Sequence, residues 1–160
     1  ETFSFFKEKV NKIVKLKDQE STDIEKSLNQ AIRLKYKEII LLSCIGDRLD
    51  HSLGNISILL KYSSKIKLHL VHNNWIMTSF YNNCELKTTP NEIISFYSFN
   101  NKIIFNTSGL KYNLINETIA FGVRESTSNV AESNKINIQA DDVFLLIRNL
   151  DEAIKNDFFK

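Results

Sequence analysis

The hydrophobic period of this chain changes once, near residue 74, and that change limits its fold more than any other feature. Before it, apolar runs of strand length alternate with stretches of helical period. "EIILLSCI" (38–45) is a continuous apolar run, the pattern of a strand covered on both faces. Ahead of it, "STDIEKSLNQAIRLKY" places Ile24, Leu28, Ala31 and Lys35 on one helical stripe, with Leu34 beside them. After it, "LDHSLGNISILLKY" aligns Leu49, Leu53, Ile56 and Leu60 as a core stripe, and "KIKLHLV" alternates like a half-exposed strand. With "KIVKL" as an earlier short strand, the order is βαβαβ, which predicts a Rossmann-like α/β domain with a mainly parallel sheet.

From Trp75 the runs are short and rich in Ile, Phe and Val: "WIMTSF", "EIISFYSF", "KIIFNT", "ETIAFGV", "KINIQA" and "VFLLIR". Asn, Ser and Gly separate them, which predicts an all-β sandwich or jelly-roll-like domain. The 160 residues leave room for two small cores. The expected division is an α/β domain over 1–73, a β domain over 74–150 and a tail over 151–160 that forms a short helix or frays. "HNN" (72–74) is the expected join.

The net charge of +2, with Lys spread along the chain, gives no reason to expect a nucleic acid partner. Cys44 and Cys84 lie far apart and form no metal-type or redox-type pair. No run is long enough to span a membrane and no signal peptide is visible, so the expected setting is cytoplasmic. The chain opens on "ETFSFFKEKV", which reads as the middle of an amphipathic helix carrying Phe3, Phe6 and Val10. The expectation is that further residues precede Glu1.

Two segments could carry chemistry. In "KDQESTDIEKSL", Thr22 and Glu25 have capping-box spacing, and Asp23 suits the first helical turn. That structural reading leaves Asp18 and Glu20 unexplained. Three carboxylates within six positions repel one another unless they are solvated or share a cation, and oxygen-only ligands suit Mg²⁺. The second segment, "CIGDRLDHSLGN", puts Arg48, Asp50 and His51 at a strand-to-helix junction on the carboxyl-terminal edge of the sheet. Ligands bind at that edge in open α/β folds. Helix-start amides there receive phosphate oxygens and Arg48 could fork onto them. An Asp50 helix cap with Arg48 paired to a neighbour explains the residues equally well. "TSGLKYNL" and "FGVRESTSN" read as loops, and His69 and His72 point to opposite faces of one strand.

Taken in order, these stretches resemble the thiamine pyrophosphokinase family. "DQESTDIEKSL" is similar to that family's Asp-Gln-Asp-X-Thr-Asp segment. "GDRLDHSLGN" is similar to its Gly-Gly-Arg-X-Asp-His-(Ser/Thr)-Leu-X-Asn segment. "SGLKYNL" and "STSN" resemble two signatures of its β domain. The resemblance implies an α/β catalytic domain, a β-sandwich that binds thiamine, and a homodimer with its sites between subunits. It also implies transfer of pyrophosphate from ATP to the thiamine hydroxyl, giving thiamine diphosphate and AMP.

By the same resemblance Asp18, Glu20 and Asp23 are metal ligands for Mg²⁺. Thr22, Arg48, Asp50 and His51 hold the nucleotide, and Asp23, Arg48 and Asp50 are the catalytic set. Gln19, Ser126, Ser128 and Asn129 line the thiamine pocket, the last three reaching across the dimer. The chain departs from the pattern where Glu20 stands for the usual Asp, where Ser43 and Asp47 stand for Gly, and at Asp141-Asp142 in the last turn. Two other functions fit the same residues: a catalytically inactive module that binds thiamine or a nucleotide, and a pyrophosphokinase for another hydroxylated heterocycle.

Overall fold

A computed structural model describes residues 20–159. The expected helix at 1–10 and strand "KIVKL", together with Asp18 and Gln19, lie outside the described residues. The elements in order are α1 (Asp23–Arg33), β1 (Glu38–Leu42), α2 (Leu49–Tyr62), β2 (Lys67–His72), β3 (Trp75–Tyr81), β4 (Cys84–Lys87), β5 (Ile93–Tyr97), β6 (Ile104–Ser108), β7 (Glu117–Thr118), β8 (Ser126–Val130), β9 (Lys135–Gln139), β10 (Val143–Asn149) and α3 (Leu150–Lys155). The protein is mostly β. A six-stranded sheet in the order β1-β2-β3-β10-β5-β8 faces a four-stranded one in the order β4-β9-β6-β7.

The larger sheet is mixed. β1 and β2 pair in parallel, and the other neighbours in it are antiparallel. The turn after β2, with Asn73 at φ 51°, folds β3 back onto β2, so one sheet continues across residues 72–75. Asn suits that left-handed backbone because its short polar side chain tolerates it.

Side-chain parity sorts two cores. Leu68 and Leu70 of β2 and Leu145 of β10 meet Leu28, Ile58, Leu59 and Tyr62 of the two helices. The opposite face carries Ile94, Phe96, Phe144 and Leu146, which pack on Phe105, Ile136 and Ile138 of the smaller sheet. The central strands are therefore covered on both sides, by helices on one and by a sheet on the other.

Three expectations are corrected. In α2 only the second half of the stripe Leu49–Leu53–Ile56–Leu60 reaches the core: Ile56 and Leu60 pack against it half-buried, while Leu49 is 82% exposed and Leu53 69%. The buried residues are Ser52, Ile58, Leu59 and Tyr62, because the start of the helix turns its small polar side chains toward the loop after β1. β1 is packed on one face only among the described residues, through Ile39 and Leu41, while Ile40 and Leu42 are exposed. β2 is not half-exposed: Leu68, His69 and Leu70 are all buried, since Phe158 and Phe159 close over His69. The tail does form a short helix, α3, capped by the Asn149 side chain.

Two buried polar networks, around Arg148 and around His69, cross the β layers. Arg148 of β10 forks onto Glu92, with Nε to Oε1 at 2.7 Å and Nη2 to Oε2 at 2.8 Å, and Nη2 also donates to the Lys87 carbonyl. His69 Nε2 bonds Glu38 Oε1 and Nδ1 bonds Thr78 Oγ1, both at 2.7 Å, tying β1, β2 and β3 together across the ladder.

Removing one partner of a buried pair strands the other charge. Arg148→Met is expected to cost about 3–5 kcal/mol in urea unfolding, and adding Glu92→Met to recover most of it. A single-variant loss under about 1 kcal/mol would show that the pair is not needed. Burial pushes His69 below its ordinary value of 6.5, against the opposite pull of Glu38. The unfolded chain then binds the extra proton, so this contribution to stability is complete above 6.5 and is lost as the pH falls from there through the lower value of the folded state. Burial raises Glu38, but Lys67 and His69 outweigh it and hold the carboxyl low; that contribution disappears only at more acidic pH, below 4.5. The melting temperature should fall between about pH 7 and pH 5, with a shallower slope in His69→Gln. Parallel profiles for the two proteins would remove His69 from the account.

Candidate active site

The loop following β1 is shaped by its own side chains. Ser43 adopts φ 57°, a conformation that favours glycine, which accounts for the Gly usual in the resembling segment. Asp47 has no such backbone and is exposed. Asn55 Nδ2 donates to the Cys44 carbonyl at 2.7 Å. Ser52 Oγ bonds Gly46 N and the carbonyls of Gly46 and Arg48. These bonds fasten the first turns of α2 to the end of β1. Burial raises the Cys44 thiol, so it stays protonated.

Arg48 occupies the cap position of α2 without a side-chain cap bond. Its guanidinium instead grips Asp50, with Nη2 to Oδ2 at 2.5 Å and Nε to Oδ1 at 3.2 Å. That contact holds the Asp50 carboxyl below its ordinary range. Both side chains are about two-thirds exposed, so the pair is open to a ligand.

The α1 start has a full capping box. Glu25 N donates to Thr22 Oγ1 at 3.3 Å, and Glu25 Oε2 accepts from Thr22 N at 3.1 Å. Asp23 stands in the first turn with its side chain wholly exposed, 3.3 Å from Lys26 Nζ.

Between the two helices lies a cavity of about 440 Å³ lined by both segments singled out in the sequence. Thr22 and Asp23 come from α1 and its cap, and Asp50 and His51 from the first turn of α2. Arg48 reaches the cavity through Asp50, and Glu20 is exposed two residues before Thr22. Among the described residues no group of three or more His, Cys, Asp or Glu is arranged to hold a metal ion.

Lys61 and Glu25 also line the cavity; Glu25 was read from the sequence only as a capping residue, and Lys61 was not singled out there. Lys61 lies on the α2 face that carries Asp50, Gly54 and Ser57. Continuing that helical spacing from Asp50 would have found it. It bonds Glu25 Oε1 at 2.5 Å, and this bond, with the Thr22 backbone donor, holds the Glu25 carboxyl low.

Ser126, Ser128 and Asn129 lie elsewhere. They belong to β8, an edge strand rather than the loop read from "FGVRESTSN". Asn129 pairs with Ile94 and Ser126 with Phe96, so three steps on β8 match two on β5. Ser128, at φ 55°, takes up the bulge. The bulge restores parity and places Ser126 and Asn129 on one face, where both line a cavity of about 250 Å³ with Tyr112 and Arg124. Asn129 is buried there; its amide donates to the Tyr112 carbonyl and accepts from the Tyr112 N–H.

"SGLKYNL" is a folded loop clamped by these bonds. Its Gly109, at φ 84°, approaches β9 so closely that a Cβ would stand 2.5 Å from the Lys135 carbonyl oxygen. The α1–α2 cavity and the β8 cavity share no lining residue.

Comparison with known proteins follows the same order of segments. Residues 1–70 match the catalytic domain model of thiamin pyrophosphokinase, and residues 83–145 match the vitamin B1 binding domain model of the same enzyme. Thiamine pyrophosphokinase 1 of Oryza sativa is 27% identical over 145 residues, covering 78% of this chain and 51% of the relative. Thiamin pyrophosphokinase 1 of Caenorhabditis elegans is 27% identical over 139 residues, covering 78% and 56%. The chain thus spans about half the length of these relatives. The crystal structure of thiamine pyrophosphokinase from Bacillus subtilis superposes with a TM-score of 0.74 at 26% identity, over 82% of this chain and 64% of that one. Two models of a single enzyme, one matched by the helix-bearing half and the other by the β half, account for most of these residues. The chain belongs to the thiamin pyrophosphokinase family.

Proposed function

We propose that the protein transfers pyrophosphate from ATP to the hydroxyl of thiamine, giving thiamine diphosphate and AMP. The observation that carries this reading is the convergence of Thr22 and Asp23 with Asp50 and His51 on one open cavity. The α1–α2 layer, read as the remainder of a Rossmann-like catalytic domain over 1–73, binds ATP. The β domain over 74–150 binds thiamine, and the protein acts in the cytoplasm. No helix among the described residues is long and apolar enough to cross a membrane.

Thr22, Arg48, Asp50 and His51 hold the nucleotide, with Arg48 neutralising phosphate charge through its fork. Carboxylate oxygens on both walls suit a hard cation. Asp23 is fully exposed, and Asp50 is held ionised by Arg48, so Asp50 need not lose a proton to bind one. Asp18, Glu20 and Asp23 are the residues proposed to hold Mg²⁺. Bound there, the ion screens charge on the polyphosphate.

The thiamine oxygen attacks the β-phosphorus. A new P–O bond forms, the bond to the oxygen bridging the α- and β-phosphorus breaks, and AMP leaves. Asp50 accepts the hydroxyl proton. In the free protein Arg48 depresses its basicity, and engagement of Arg48 by phosphate releases that hold. Orientation and charge stabilisation supply most of the rate, as is usual for phosphoryl transfer.

Ser126 and Ser128 contact thiamine, Asn129 holds the Tyr112 segment beside them, and Gln19 completes the pocket. Because this cavity and the ATP cavity are separate within one chain, the reading requires a homodimer that brings β8 of one subunit to α1 and α2 of the other.

Asp23→Asn in the full-length protein is expected to lower thiamine-dependent AMP release by about 100-fold or more, with little change in melting temperature because the side chain is exposed. Near-normal AMP release would overturn the metal assignment. Binding of ATP and thiamine in calorimetry with no turnover by the unaltered protein would mark a non-catalytic module instead.

A further inference from the structure

One hydrogen bond links the far end of α2 to the start of α1, and two more carry it to the cap residue. Lys61 Nζ donates to Glu25 Oε1 at 2.5 Å. The other oxygen of that carboxylate, Oε2, accepts from the Thr22 N–H at 3.1 Å and from the Thr22 hydroxyl at 3.2 Å. Glu25 is thus engaged through both oxygens, Oε2 at the start of α1 and Oε1 at the last turn of α2, and its side chain is only 12% exposed while Lys61 is 64% exposed. A second bond, from Tyr62 OH to Asn29 Oδ1 at 3.2 Å, runs alongside and holds the same two helices together. The cavity opens between them, with Lys61 at one end of its α2 wall and Asp50 at the other.

We propose that Lys61, acting through Glu25, is a positioning residue that sets the Thr22–Asp23 start of α1 against Asp50 for the nucleotide site. The inference rests on the proposed ATP site and adds a residue pair to it. A capping box alone would need Glu25 to reach only Thr22. The Lys61 contact does something a cap does not: it ties the cap to the opposite wall of the cavity. Without it, the carboxylate keeps its Thr22 partners but loses its anchor on α2. The cap is then held to the wall bearing Asp50 through the Tyr62–Asn29 bond and the packing of Leu28 on α2, both farther along α1. Small displacements between groups that act on one substrate have large consequences, since about 1 Å can cost a factor of about 100.

The test uses Lys61→Met, Lys61→Arg and Glu25→Gln in the full-length protein. Lys61→Met is expected to raise the KM for Mg²⁺–ATP roughly tenfold, to change kcat by less than about threefold and to leave the thiamine KM unaltered. Lys61→Arg, which keeps the donor, is expected to restore the ATP KM to within about twofold. Thr22 amide hydrogen exchange, read without substrate, should accelerate in Lys61→Met and not in Lys61→Arg. Glu25→Gln combined with Lys61→Met should raise the ATP KM no more than the worse single change, because both break one chain of contacts. An ATP KM unchanged in Lys61→Met, or a double variant whose effects multiply, would overturn the proposal.

Asp50→Asn measured alongside separates the two levels of the argument. If it abolishes AMP release while Lys61→Met does nothing, the ATP site stands and the positioning role falls. If Asp50→Asn is also without effect, the site itself is wrong.

Discussion

Arg148 and Glu92 meet in the middle of the protein, with almost no solvent contact on either side chain. Such a pair adds less to stability than its geometry suggests, because desolvating both charges offsets much of the attraction. Its effect is on register. β10 lies between β3 and β5 in the centre of the larger sheet, and its residues alternate between the helix-covered face and the sheet-covered face. Both faces are apolar, so hydrophobicity alone distinguishes poorly between the correct pairing and a slip by one residue. A slip would carry Arg148 to the helical side, away from Glu92 and the Lys87 carbonyl, leaving a guanidinium buried among leucines. The charge therefore penalises the wrong pairing.

That register reaches the residues of the candidate site by short routes. β3 takes its alignment from β10 and β2 from β3, so Leu68, Leu70 and Leu145 present one continuous surface to α2. α2 is then fastened to the end of β1 through Ser52 and Asn55, and α1 is fastened to α2 through Lys61 and Tyr62. On the other side of β10, β5 sets β8, and the bulge at Ser128 decides which β8 side chains share a face. One ladder aligns the α1–α2 cavity and the Ser126 cavity.

What the sequence made legible follows from how local each signal is. The capping box of α1 depends on two side chains three residues apart, and it was readable at once. The runs of Ile, Phe and Val after Trp75 marked six strands, one of them shortened to Glu117–Thr118. "CELK" and "STSNV" were missed because neither has the apolar content of a strand: β4 alternates buried and exposed, and β8 is a polar edge. The α2 stripe was misread for a reason specific to functional helices. Ser52 and Asn55 turn inward to bond the strand-end loop. Leu53, Ile56 and Leu60 are thereby displaced to an apolar groove beside Met77, Leu145 and Phe121. The Lys61–Glu25 contact was invisible because its partners are 36 residues apart in sequence.

The position of β8 constrains how any transfer between the two cavities could occur. Ser126 and Asn129 share the face of Phe96 and Ile94, which packs on the smaller sheet, whereas α1 and α2 cover the opposite face. An attacking oxygen must approach within roughly 3–3.5 Å of its phosphorus. Two cavities with no lining residue in common, on opposite faces of a sheet, do not offer that distance inside one rigid chain. Hinging does not remove the difficulty, since the cavities are connected through the central strands of the sheet and not by a linker. A second copy does remove it, because its exposed β8 edge and polar Ser126–Ser128 segment are free of the first chain's connectivity. The physical case for the proposed dimer is thus one of reach: the two cavities proposed as donor and acceptor sites lie on opposite faces of one sheet, and a second copy would bring one of each together.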